Sequence, residues 1–227
     1  LKILNYKRYL SELIATFFLI FCGTGAVVIN EQGGEVIGHL GIAISFGLIV
    51  TIMILSLREI SGTHMNPVVT LIFVALKIHP KKDLIPYIIF QTIGAILAST
   101  TLLLLFPQNK MLGTTIPAGS EMQSFVLEVI LTFLLVFVIL FMSQGSDHQK
   151  QFAPFGIGLT VLLEALFAGP ICGASMNPIR SLAPALVSGH LESLWVYIAA
   201  PTLGAILAAL VWKISVTKGE KIKLKND

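Results

Sequence analysis

Two short stretches constrain the fold of this chain more than anything else in it. Gly173-Ala174-Ser175-Met176-Asn177-Pro178-Ile179-Arg180-Ser181-Leu182 lies between long apolar segments, yet it carries an Asn, an Arg and a proline. Asn177 followed by Pro178 reads as a helix start, because Asn caps orphan backbone N–H groups and Pro suits the first helical position. Pro184, still within the first two turns, is tolerable there. A helix from Asn177 to about Val187 covers roughly 15 Å at 1.5 Å per residue, half of a bilayer core. Alone it spans nothing. A second copy precedes it: Ser61-Gly62-Thr63-His64-Met65-Asn66-Pro67-Val68-Val69-Thr70-Leu71 matches 172–182 with Gly, Met, Asn, Pro and Leu in register. Paired half-helices in an apolar chain are the signature of an inverted-repeat membrane protein. Entering from opposite faces, they complete one crossing with their N-termini meeting at the midplane.

Composition agrees. A hydrophobic fraction of 55%, charged residues at 12% and a mean hydropathy of +0.88 are wrong for a soluble domain of 227 residues. Apolar runs predict six spans over 10–29, 39–57, 84–106, 122–143, 154–168 and 194–216, with a polar linker over 107–120 and a polar loop over 144–151. The first run is too long, and lacks the cleavage pattern, for a secretory signal. The tail from Lys218 is charged and expected to fray. Cys22 and Cys172 offer no disulfide framework and no metal-ligand spacing, and are expected to be packing residues.

The repeat extends through the spans. The segment 11–17 echoes 127–133, with Glu12 matching Glu128, and 92–98 echoes 202–208 around a shared Gly-Ala-Ile-Leu-Ala. The whole chain, 1–227, therefore reads as one domain of two repeats, about 10–106 and 122–216. Each repeat holds three spans, and an odd number turns the second repeat upside down. The fold class is all-α integral membrane: six transmembrane helices plus two re-entrant half-helices in an inverted repeat. Positive charge sets the orientation. With cytoplasmic N- and C-termini, thirteen of the fifteen Lys and Arg residues fall inside, and only Lys110 and Arg180 fall outside. The net charge of +3 follows the membrane faces and calls for no nucleic-acid partner.

On these residues the chain resembles the aquaporin, or major intrinsic protein, family over essentially its full length. The paired Asn-Pro motifs, the Glu12 and Glu128 echo and an arginine three residues after Asn177 carry the resemblance. Leu166-Phe167-Ala168-Gly169-Pro170 leading into Gly173-Ala174-Ser175-Met176-Asn177-Pro178 is similar to the nodulin-like intrinsic proteins, a subgroup associated with water, glycerol and uncharged metalloid acids. The resemblance implies a homotetramer with one pore per subunit in the cell membrane, among lipid. Small residues such as Gly94, Ala95, Ala98, Gly204, Ala205 and Ala208 are expected to permit the close helix contacts this requires. The resemblance also maps an outer constriction onto Phe46, Ala165, Ala174 and Arg180. Strict water channels of the family usually have a histidine where this chain has Ala165, so a wider pore is expected, passing glycerol, urea or arsenous acid as well as water.

The physics of the motifs stands beside the resemblance. Two helix N-termini aimed at one point make it positive, and Asn66 and Asn177 can each donate an amide N–H to a passing water oxygen. That orientation and that field oppose a proton relay. Gly62, Thr63, His64, Gly173, Ala174 and Ser175 precede the half-helices as irregular backbone and are expected to present backbone carbonyls to the pore, because non-helical backbone at membrane depth is allowed only where it lines a water-filled cavity. Glu12 and Glu128 are expected to accept hydrogen bonds from these loops, their symmetric placement favouring an anchoring role over a proton relay. Glu164 has no symmetric acid and is expected either to line a polar pocket or to reach Arg180.

Three departures from the family pattern stand out. Val68 and Ile179 replace the usual alanines and should alter how the half-helix ends pack. Arg58-Glu59 stands where Gly-His is common and reads as a local ion pair or a gate. Phe46 is bulkier than the small residues of the widest metalloid channels. A strict water channel is thus one alternative. A secondary transporter or a non-conducting scaffold belongs to another class, and neither is favoured by acids confined to scaffold positions. No catalytic constellation, metal or cofactor is expected: His39, His79, His148 and His190 read as loop residues without a nucleophile or metal spacing, and His64 reads as lining the inner vestibule.

Overall fold

The computed structural model describes residues 2–216, with side chains from residue 6 onward, so the charged tail lies outside the described residues. Eight α-helices follow one another: α1 (Lys2–Gln32), α2 (Gly38–Ser61), α3 (Pro67–Ala75), α4 (Leu84–Leu105), α5 (Glu121–Ser143), α6 (Asp147–Cys172), α7 (Pro178–Ser188) and α8 (Leu194–Ser215). A single 3-10 turn, Lys81–Asp83, leads into α4, and no strand occurs among the described residues. Six helices are long and apolar enough to cross a membrane, and α3 and α7, of 9 and 11 residues, are too short.

Both short helices begin as their sequence dictates. Asn66 is extended and its side chain accepts from Val68 N at 3.1 Å, with Pro67 at the first helical position. Asn177 does the same for Ile179 N at 3.1 Å, with Pro178 following. The preceding long helices α2 and α6 stop at Gly62 (φ 85°) and Gly173 (φ 81°), left-handed caps that a β-carbon disfavours. The fifth span differs from expectation. α6 starts at Asp147, because Ser146 and Gln149 form a capping box, Gln149 N donating to Ser146 Oγ and Ser146 N to Gln149 Oε1. The polar residues 147–151 are thus its first turn, and Pro154 lies inside the helix. His39 and His148 likewise sit in the first turns of α2 and α6 and not in loops.

Packing repeats across the two halves: α1 lies on α4 as α5 lies on α8, α7 rests on α4 as α3 rests on α8, and α2 and α6 meet along the central seam. The small residues make these contacts inside the subunit. A Cβ on Gly94 would collide with the Leu13 carbonyl of α1, and one on Gly204 would sit 3.0 Å from Phe133 N of α5. Ala95, Ala98, Ala205 and Ala208 are fully buried in the monomer. The expectation that these residues are available to a neighbouring subunit is therefore corrected: the backbone approach of α4 to α1 and of α8 to α5 uses them. Cys172 is buried and Cys22 half-buried, both free thiols.

Candidate functional site

Each half-helix is held from behind by one buried carboxylate. Glu12 of α1 accepts from His64 N and Met65 N, both at 2.9 Å, from Ser61 Oγ at 2.8 Å and from Gln91 Nε2 at 2.8 Å. Glu128 of α5 accepts from Ser175 N at 2.7 Å and Met176 N at 2.8 Å. These bonds satisfy charges that would otherwise be unsupported at membrane depth. They also hold two backbone N–H groups of each loop towards the helix behind it. Thr63, Met65, Ala174 and Met176 adopt left-handed φ of 50°, 52°, 40° and 53°, the same alternation in both loops. Strain of this kind persists where surrounding bonds over-determine it, as the carboxylates do here.

The two loops then bind each other. Asn66 Nδ2 donates to Met176 O at 2.9 Å, and Asn177 Nδ2 donates to Met65 O at 2.8 Å. One amide proton of each Asn is spent on this reciprocal clasp and the Oδ1 on the helix cap. The second amide proton remains for whatever lies between them. The dipoles of α3 and α7 point at the same place.

Two cavities lie on either side of this junction. The inner one, about 340 Å³, runs from Arg58, Glu59 and Lys150 past Gly62, Thr63 and His64 to both asparagines, with Ser175 on its wall. Ser143 and Gln144 add to its polar end, and its apolar wall includes Leu19, Val50, Ile54, Leu135, Ile157 and Val161. The outer one, about 450 Å³, is bordered by Phe46, Ala165, Gly173 and Ala174, and by acidic and imidazole side chains at its rim, Glu31, Glu35 and His39. Among the described residues Arg180 alone borders both. It is 5% exposed, its Nη1 donates to Gly113 O at 2.7 Å, and its Cζ lies 5.0 Å from the centre of the Phe46 ring.

The symmetry of the chain shows what is peculiar to this spot. At the offset of 111 residues that relates Asn66 to Asn177, the counterparts of Phe46, Ala165 and Arg180 are Ile157, Ile54 and Val69. All three counterparts line the inner cavity. The repeat-related positions in the inner cavity are aliphatic, whereas those at the outer junction place a guanidinium against an aromatic face, a favourable pairing.

The remaining expectations fall out unevenly. Val68 and Ile179 are buried and border neither cavity, so their bulk packs away from the passage. Arg58 Nε pairs with Glu59 Oε1 at 3.2 Å, and Arg58 Nη1 also donates to Lys150 O at 2.8 Å, a bond the sequence did not suggest. Glu164 does not reach Arg180 and borders neither cavity; its carboxyl is fully buried with no hydrogen-bond partner. Sequence reasoning read 107–120 only as a polar linker and missed its contacts with α7. Leu112 is fully buried, Gly113 presents its carbonyl to Arg180, and Thr115 Oγ1 donates to Ser181 Oγ at 2.7 Å.

Comparison with known proteins agrees with this architecture. Residues 1–212 match the family model described as major intrinsic protein. The chain is similar to nodulin-26 of Glycine max, 42% identical over 209 residues, covering 92% of this chain and 77% of the relative. It is similar to aquaporin NIP1-2 of Arabidopsis thaliana, 41% identical over 216 residues, covering 92% and 74%. Among solved structures it is similar to the aquaglyceroporin from Plasmodium falciparum, with a TM-score of 0.82 at 23% identity, covering 92% of this chain and 95% of that one. The last likeness is one of fold; the first three carry kinship, and this multi-pass membrane chain belongs to the major intrinsic protein family.

Proposed function

We propose that the chain is a passive channel for water and small uncharged solutes, among them glycerol, urea and metalloid acids such as arsenous acid, and that it excludes protons and ions. The family is one of channels and not of enzymes. The observation that carries the solute reading is the outer junction: Arg180 borders both cavities against Phe46, and only the methyl group of Ala165 borders the outer cavity there. A fixed guanidinium repels cations and donates to solute oxygens, Phe46 offers an apolar wall to carbon, and the alanine leaves room for a polyol. The clasped asparagines and the two converging dipoles act on water behind it. Glu12 and Glu128 hold the loops that carry these groups.

The asymmetry of Lys and Arg supports cytoplasmic termini in the cell membrane, and the family supports a homotetramer of single-domain subunits with one pore each. Stopped-flow light scattering on proteoliposomes tests the channel itself. Sucrose shrinkage reports water, and re-swelling in glycerol, urea or arsenous acid reports solute. Fast re-swelling that disappears in Ala165→His, with water flux retained, is the expected result. Water flux without re-swelling in the native chain would establish the strict water channel. An intact tetramer with no flux above empty liposomes would leave a scaffold.

A further inference from the structure

Two prolines interrupt the backbone ladder of α6, and each leaves a carbonyl without its partner. Pro170 has no N–H to give Leu166 O, and Pro154 has none for Lys150 O. Both orphan carbonyls are taken by side chains of α2. His39 Nε2 lies 2.6 Å from Leu166 O, and because a carbonyl only accepts, Nε2 carries the proton. Arg58 Nη1 donates to Lys150 O at 2.8 Å. We infer that His39 and Arg58 are positioning residues: they stand in for the two hydrogen bonds that Pro170 and Pro154 remove, and the outer of these pins sets the separation of Phe46 from Ala165. The constriction half of this inference rests on the channel reading above; the pins themselves do not.

The seam between α2 and α6 is held at three heights. At mid-height the two backbones touch, a Cβ on Gly47 falling 2.7 Å from Gly158 O and one on Gly158 falling 2.6 Å from Gly47 O. The pins close the seam at the first and last turns of α2, 19 residues apart. The outer pin is fitted to its place, since a Cβ on Gly169 would lie 2.9 Å from His39 Cε1. Nothing in the repeat requires this. At the 111-residue offset the prolines correspond to Ala43 and Glu59, which keep their N–H groups, so α2 needs no pin and α6 needs two. Phe46 lies two turns below His39 on the same helix, and Ala165 adjoins Leu166. Without its donor, Leu166 O would turn to water, and α6 would be free to hinge at Pro170, where prolines kink helices. The wall carrying Ala165 would move with it.

A double-mutant cycle on the reconstituted chain separates this from ordinary packing. His39→Leu is expected to lower Tm by about 3–8 °C, the cost of one lost hydrogen bond to a half-buried carbonyl in a chain of this size. It is also expected to shift the glycerol-to-water permeability ratio about threefold. In a Pro170→Ala background the backbone N–H returns, and the same substitution should cost almost nothing in either readout. His39→Gln, which keeps a donor at comparable reach, should recover most of both losses. Arg58→Leu and Pro154→Ala should show the same coupling in Tm. Equal Tm losses with and without Pro170 would overturn the pins. Coupled Tm losses with an unchanged permeability ratio would overturn the claim on the constriction. If the native chain carries neither water nor glycerol, the channel reading fails, and the Tm cycle alone judges the pins.

Discussion

A Cβ on Gly23 would lie 2.7 Å from Cζ of Phe46, so the aromatic wall of the outer junction is seated against a hydrogen atom of α1. No local backbone need explains this glycine, which sits in mid-helix at a cost of about 1 kcal/mol relative to alanine. What it provides is room. In Gly23→Ala the ring cannot stay where it is, and it is expected to shift relative to Arg180, whose Cζ lies 5.0 Å from its centre. Overpacking of this kind costs about 1–3 kcal/mol, and each 1.4 kcal/mol added to a passage barrier slows it about tenfold. Glycerol permeability in Gly23→Ala should fall about tenfold more than water permeability, measured by re-swelling of proteoliposomes. Equal losses for both solutes would show that the ring does not form the wall. Alanine propensity alone would have predicted a harmless or stabilising change.

At the scale of elements, the half-helices were legible because what defines them is local. Asn-Pro after a short irregular run specifies a cap and a first turn, and the structure keeps both at Asn66 and Asn177. The start of α6 was not legible from hydropathy, because a capped polar first turn looks like a loop until Ser146 and Gln149 are seen to bind each other. Gly113 was invisible for a different reason. Its carbonyl reaches Arg180 across 67 residues of chain, and a glycine in a polar linker carries no mark of that partner. His39 did leave a trace, since Pro170 announces an orphan carbonyl at Leu166; only the donor was missing. The connection after α3 offers a test at this scale. His79 meets His64 edge to face with ring centres 4.7 Å apart and lies 3.3 Å from Arg8 Nη2, while Arg8 already occupies Asp83 at 2.8 Å. Burial, with His64 and Arg8 close by, pushes the His79 imidazole down to about 4 against the partial help of Asp83. The unfolded chain therefore binds a proton that the folded chain refuses between about pH 6.5 and 4. Stability is complete above that window and is lost as pH falls through it, by on the order of 1–2 kcal/mol after allowance for solvent screening. Melting temperature against pH should fall less steeply in His79→Phe, which keeps the ring and removes the titration. Parallel profiles would show that acid acts elsewhere.

For the whole molecule, the strongest property is one that neither half possesses alone. Each half supplies a dipole, a capped Asn and a carboxylate-anchored loop, and the clasp from Asn66 to Met176 and from Asn177 to Met65 exists only when both are present. The resulting centre is positive by construction and offers a central water the two remaining amide N–H donors of Asn66 and Asn177. Exclusion of protons should then be sensitive to a change in either half. Asn66→Asp and Asn177→Asp keep the acceptor for the backbone cap, remove the donor to the opposite loop and place an anion where the dipoles converge. Each should raise proton leak well above that of the native chain, by about tenfold for every 1.4 kcal/mol taken from the barrier. The leak is read as the collapse of an imposed pH gradient in dye-loaded proteoliposomes under an opposing potassium–valinomycin potential. Water flux is measured on the same vesicles to confirm an open pore. A leak in one variant but not the other would place the barrier in a single half. Tight vesicles in both, with water still flowing, would move the barrier outward to Arg180, which is carried by one half of the chain and positioned by the linker carbonyl of Gly113.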